Sequence, residues 1–135
     1  MVTEILVKEP LERDMIEGGS ELLNRLEKSG IKVAVAFWLW SSETGRWELV
    51  ISSSWVNKFG ASESFRQLHG IYYGNSGPIA GLKLLQVDLA ETKRPLIKAL
   101  RAEAKKYRKD FAGERLKGSW FGDAHFEDAY IYFVK

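Results

Sequence analysis

Apolar side chains recur along this chain in two rhythms, every three to four residues and every second residue, and their succession lays out the elements. Leu11, Met15, Leu22 and Leu26 fall in one narrow stripe, widened by Ile16 and Leu23, which predicts a first helix from about Pro10 to Lys28. Proline suits its first turn, and Gly30 stands where a left-handed cap ends it. Gly18 and Gly19 interrupt that helix, and the expectation is close approach to a sheet or a break re-capped by Ser20. A phosphate cradle would need a preceding strand and a fuller glycine pattern.

Ile31–Trp40 is the clearest strand, with Ile31, Val33, Val35, Phe37 and Leu39 on one face and Ala34, Ala36, Trp38 and Trp40 on the other. Apolar residues on both faces predict a central strand covered on both sides. The turn "SSETGR" and a partner strand Trp47–Ser53 follow, which sets Trp40 opposite Trp47 as a cross-strand aromatic pair. A second helix is expected from about Ser62, with Phe65, Leu68 and Ile71–Tyr72 inward, and then a loop, "GNSGPIAG". Leu82–Leu89 reads as a third strand. Pro95–Lys109 reads as a third helix, whose stripe is Leu96, Leu100, Tyr107 and Phe111, flanked by Ile97 and Ala104. Two last strands, about Glu114–Phe121 and Ala129–Val134, are joined by "GDAHFED". The expected fold is α+β, a single domain over residues 1–135, with a mixed five-stranded sheet packed by helices in the order α-β-β-α-β-α-β-β.

Composition narrows the class. With 45% hydrophobic and 28% charged residues the chain can bury a core, and its lack of cysteine excludes disulfide scaffolds and thiolate metal sites. The N-terminus "MVTEILVKEPLERDM" has no signal-peptide pattern, and the longest apolar-rich stretch, "IKVAVAFWLW", is too short for a membrane span. A soluble cytoplasmic protein without membrane contact is the expectation. Charge is uneven: residues 1–30 carry a net of −3, and residues 91–117 a net of +6. Such asymmetry suits an anionic partner or a second copy of the chain.

Candidate chemistry gathers at four places. Base-stacking modules ring exposed aromatics with cations, but the strand neighbours of Trp38 and Trp40 are small alanines, so Trp38 is expected in the core. Trp40, Arg46 and Trp47 are expected as a partly exposed lip available to a partner. On the third helix Lys98, Arg101, Lys105, Arg108 and Lys109 cluster opposite the apolar stripe, with Glu103 the sole acid. A solvated outer face gives the same pattern, but solubility alone usually mixes signs, so the ridge is a candidate for acidic protein surfaces or phosphates.

His69 and His125 are isolated and lack zinc-ligand spacing. "HFED" brings His125, Glu127 and Asp128 together in what reads as loop chemistry. Asp88, with Glu91, Thr92 and Lys93 after it, resembles the metal-and-base arrangement of restriction-type nucleases, in which acids hold a divalent ion and a lysine steadies charge. Helix capping accounts for the same residues, since acids favour a helix N-terminus. The expected function is a small non-enzymatic accessory protein with no cofactor. It would work through a protein partner or homodimer contact, or through nucleic acid. The alternative is a metal-dependent nuclease or hydrolase using Asp88, Glu91 and Lys93.

Overall fold

The order of the sheet follows from the strand that has no polar face. In the computed structural model, which describes residues 8–74 and 76–135, β1 (Val33–Ser41) lies at the centre of a mixed five-stranded sheet. Residues 1–7 of the stretch read for a signal peptide, and Asn75 of the glycine-rich loop, lie outside the described residues. Strand β1 pairs antiparallel with β2 (Arg46–Ser53) on one side and with β5 (Ala124–Val134) on the other. Short β3 (Val87–Ala90) runs parallel to β2 at one edge, and β4 (Arg115–Phe121) pairs with β5 at the other, giving the order β3-β2-β1-β5-β4. The fold is α+β with the expected succession of elements.

Helices cover both faces. Leu22 and Leu26 of α1 (Arg13–Lys28), with Val56 and Leu68 of α2 (Ser54–Tyr73), pack with Ala36 and Trp38. On the opposite face Ile97 and Leu100 of α3 (Pro95–Tyr107) pack with Val35, Phe37 and Ile131. The side-chain alternation expected from Ile31 onward holds only from Val35. The β1–β2 ladder slips by one residue between Val33 and Val35, so Val33 joins the Trp38 face and Ala34 the Phe37 face. A one-residue slip reverses every side chain beyond it.

Other boundaries moved for identifiable reasons. Helix α1 begins at Arg13, leaving Pro10 outside it. Helix α2 starts at Ser54, straight from the end of β2, because the Ser53 hydroxyl accepts the Trp55 amide at 3.1 Å as an N-cap. Its backbone breaks at Gly60 (φ 77°, ψ 163°), and the expected start near Ser62 is only its second part. Part of the expected third strand is a 3-10 turn, Leu84–Gln86. Most of "GDAHFED" belongs to β5 rather than to a loop, so the hairpin closes at Gly122–Asp123.

The glycine pair in α1 is a close-approach device. A Cβ on Gly19 would lie 2.2 Å from the Tyr132 hydroxyl, and one on Gly18 would lie 2.7 Å from the Ala80 carbonyl. The space left by Gly19 holds a polar chain: Trp38 Nε1 donates to Tyr132 Oη at 2.9 Å, and Tyr132 donates to the Ile16 carbonyl at 2.6 Å. Burial pushes the Tyr132 phenol up, so it keeps its proton and remains a donor.

Two comparisons follow for equilibrium denaturation. Phe37→Ala empties a fully buried site on β1 and is expected to cost about 3–5 kcal/mol; a loss under about 1 kcal/mol would contradict the central placement. Gly19→Ala is expected to destabilise by about 1–3 kcal/mol through overpacking. Gly70→Ala, at an α2 site with open space, is expected to stabilise by about 0.5–1 kcal/mol.

Candidate interaction surface

Helix α3 opens with Pro95 in its first turn and buries Ile97, Leu100 and Ala104. It ends at Tyr107 because Arg108 takes a left-handed conformation (φ 53°). That turn corrects the expected stripe: Tyr107 is 57% exposed, and Phe111, past the turn, fills the core instead. It also takes Lys109 off the helix. The Lys109 ammonium pairs with Glu114 at 2.9 Å and sits 4.4 Å from the Phe111 ring centroid.

Lys98, Arg101, Lys105 and Arg108 remain exposed, and among the described residues none of them has a carboxylate within ion-pair distance. Arg101 spends only Nε, on the Lys135 carbonyl at 3.1 Å. The other arginines behave differently. Arg13, Arg25, Arg46, Arg66, Arg94 and Arg115 each hold a carboxylate, at 2.6–3.3 Å. Arg101 and Arg108 are therefore unpaired in a chain whose other arginines hold carboxylates, and Lys98 and Lys105 lie unpaired beside them.

The opposite flank of α3 borders a groove of roughly 760 Å³, closed by the ends of β1, β4 and β5. Leu39, Leu96, Phe121 and Ala124 give it an apolar lining, while Glu43, Glu103, Asp123 and Glu127 rim it beside Lys98. None of these four acids is ion-paired among the described residues; Glu127 accepts a hydrogen bond from Ser42 at 2.7 Å.

The expected aromatic lip is mostly interior. Trp40 and Trp47 do face each other across the β1–β2 ladder, with ring centroids 5.7 Å apart. Trp47, however, is buried and donates its Nε1–H to the Glu9 carbonyl at 2.7 Å, so it is not a contact residue. Arg46 is exposed and paired with Glu48 at 3.3 Å. Over the tryptophans lie Lys8 and Arg115, respectively 5.5 and 5.4 Å from the Trp47 ring centroid.

Between those cations sits Asp128, opposite Trp40 on β5 and almost fully buried. Arg115 grips it with two bonds, at 2.6 and 2.8 Å, and Lys8 completes the pair of counter-charges. Burial alone would raise the Asp128 pKa, but the Arg115 and Lys8 hydrogen bonds outweigh it and hold the carboxyl below its usual range. The acid expected in a loop cluster is thus a structural anchor joining the N-terminal segment to β4 and β5. Sequence alone missed it because its partners are remote along the chain.

The remaining candidates do not converge. Asp88 is bonded to Arg94 at 2.7 Å, while Glu91 pairs with Lys93 at 3.4 Å. Among the described residues no group of three or more histidines, aspartates and glutamates is placed to hold a metal ion. His125 stacks on Trp120, 4.4 Å between centroids, and His69 on Tyr73 at 4.7 Å. No described helix is long and apolar enough to cross a membrane. No protein-family model matches the chain, and neither curated proteins nor solved structures gave a match.

Asp128→Asn should remove the negative charge and leave both cations facing a neutral amide. The expected cost is about 3 kcal/mol, near the lower end for a broken buried pair because both cations reach solvent. The pH dependence has a definite sign. The folded-state pKa lies below the unfolded one, so the carboxylate's contribution is complete above about pH 4 and fades as pH falls through the folded value. Denaturation of wild type and variant from pH 7 downward should show their difference shrinking only in acid. A difference that grows in acid would contradict the assignment.

Proposed function

We propose that the protein is a small accessory binding protein that acts through a macromolecular contact made by the basic ridge of α3. The observation that carries this reading is the set Lys98, Arg101, Lys105 and Arg108, left without carboxylates while arginines elsewhere are paired. Single-sign surfaces attract and orient oppositely charged partners. The favoured partner is an acidic protein surface. The acids around the groove beside that helix, Glu103 on α3 itself with Glu43, Asp123 and Glu127 from the facing strands and turns, would repel a phosphate backbone that wrapped around it. An acidic protein surface of limited width can contact the ridge and avoid that rim. Duplex nucleic acid is the rival partner.

Arg101→Glu with Lys105→Glu tests the reading, since both positions are exposed and neither fills the core. The variant is expected to stay folded, at a helix-dipole cost of about 0.3–1 kcal/mol for the acid in the last turn. Wild type should bind a polyglutamate probe and the variant should not. For a short duplex DNA at near-physiological salt, wild type should show only the weak affinity of non-specific contacts, about 10⁻⁴–10⁻⁶ M. Sub-micromolar DNA binding that falls steeply with salt and disappears in the variant would reassign the partner to nucleic acid. Equal binding of polyglutamate by both proteins would remove the ridge from the account.

A further inference from the structure

We infer that the acid-rimmed groove beside α3 receives the basic, aromatic corner at the C-terminal end of α3 from a second copy of this chain, forming a two-fold symmetric dimer. The corner shares Arg108 with the ridge, but the inference rests on the groove and on Tyr107 and does not depend on the ridge reading.

The chemistry of the groove specifies a visitor that is apolar at its centre and positive at its edges. Leu39, Leu96, Phe121 and Ala124 supply an apolar lining, and Glu43 and Asp123 stand on exposed turns at the rim. The sequence Lys106-Tyr107-Arg108 fits that description. Tyr107 is 57% exposed, and the Lys106 ammonium lies 5.2 Å from its ring centroid. An exposed aromatic held among cations is a natural counterpart for an apolar slot among acids.

Helical geometry lets one copy give and receive at once. At 3.6 residues per turn, Leu96, Glu103 and Tyr107 fall within about 20° of a common direction, so groove and corner share one flank of α3. At 1.5 Å per residue, Leu96 and Tyr107 are about 16 Å apart along the axis. A two-fold axis crossing α3 midway between Leu96 and Tyr107 reverses the partner's helix and sets each Tyr107 beside the other copy's Leu96. Arg101 and Lys105 do not line the groove and point away from the flank that carries Leu96 and Tyr107. Lys98 reaches the groove rim and is the one lysine among four acids there.

Sedimentation velocity over a concentration series tests the arrangement by mixing. One variant reverses the corner (Lys106→Glu, Arg108→Glu), and the other reverses the rim (Glu43→Lys, Asp123→Lys). Wild type should dimerise with a dissociation constant below about 100 μM, and each variant alone should dimerise at least about tenfold more weakly. An equimolar mixture should recover association, because in the heterodimer each reversed corner faces a reversed rim and each native corner a native rim. Tyr107→Ala should also weaken the wild-type dimer, and circular dichroism should show all variants folded. A monomeric wild type, a dimer indifferent to these changes, or folded variants that fail to associate on mixing would each overturn the inference. Because the ridge variant Arg101→Glu/Lys105→Glu leaves groove and corner intact, its dimerisation should match wild type. Failure of the ridge reading is thereby separable from failure of the dimer.

Discussion

The burial of β1 on both faces is the constraint on which the rest of the molecule depends. A strand carrying Val35 and Phe37 on one side and Ala36 and Trp38 on the other cannot sit at an edge or face water. It demands strands on both sides and helices above and below, and the chain supplies them from distant segments: β2 and β5 as neighbours, α1 and α2 on one face, α3 on the other. The glycines of α1 belong to the same constraint. Trp38 is large and polar at one end, so a helix must come close enough for Tyr132 to link its indole N–H to the α1 backbone.

Once that core is closed, function has to come from the outer surfaces, and these differ in how their charge is managed. Around the first face Arg13, Arg25 and Arg66 are paired within their own helices, and Asp128 anchors Arg115 and Lys8 over Trp47. The exposed helix pairs, unlike the buried Asp128, contribute little to stability individually, but they neutralise the surface. Helix α3 is organised otherwise, with bare cations on one flank and bare acids beside an apolar groove on the other. Separated charge of both signs around one helix favours oriented association over general solubility.

The sequence made legible those features that depend on neighbours along the chain. Period-two burial identified β1, the Trp40–Trp47 pair followed from the hairpin, and the periodic apolar stripe located α3. Features that depend on remote partners stayed hidden. Nothing local to Trp47 shows that the Glu9 carbonyl, Lys8 and Arg115 will close over it, so a buried ring reads as part of a partly exposed lip. Nothing near Asp128 announces its counter-charges. Local signals were also misjudged. Ser53 ends β2 as its strand pattern indicates, but its second role as the N-cap of α2 goes unseen, and a wheel drawn through Lys109 cannot foresee the left-handed Arg108 that exposes Tyr107. The ridge was legible as a charge pattern, but its lack of internal partners became visible only once every other arginine had been placed.

The central claim is that α3 is the working surface of this fold. Its most direct test is residue-resolved NMR of the isotope-labelled protein as polyglutamate is added. The account predicts amide shifts that run along Lys98, Arg101, Lys105 and Arg108 and leave α1 and the β4 edge around Lys117 and Trp120 unmoved. Shifts spread evenly over all lysine-bearing surfaces, or centred on that edge strand, would contradict it.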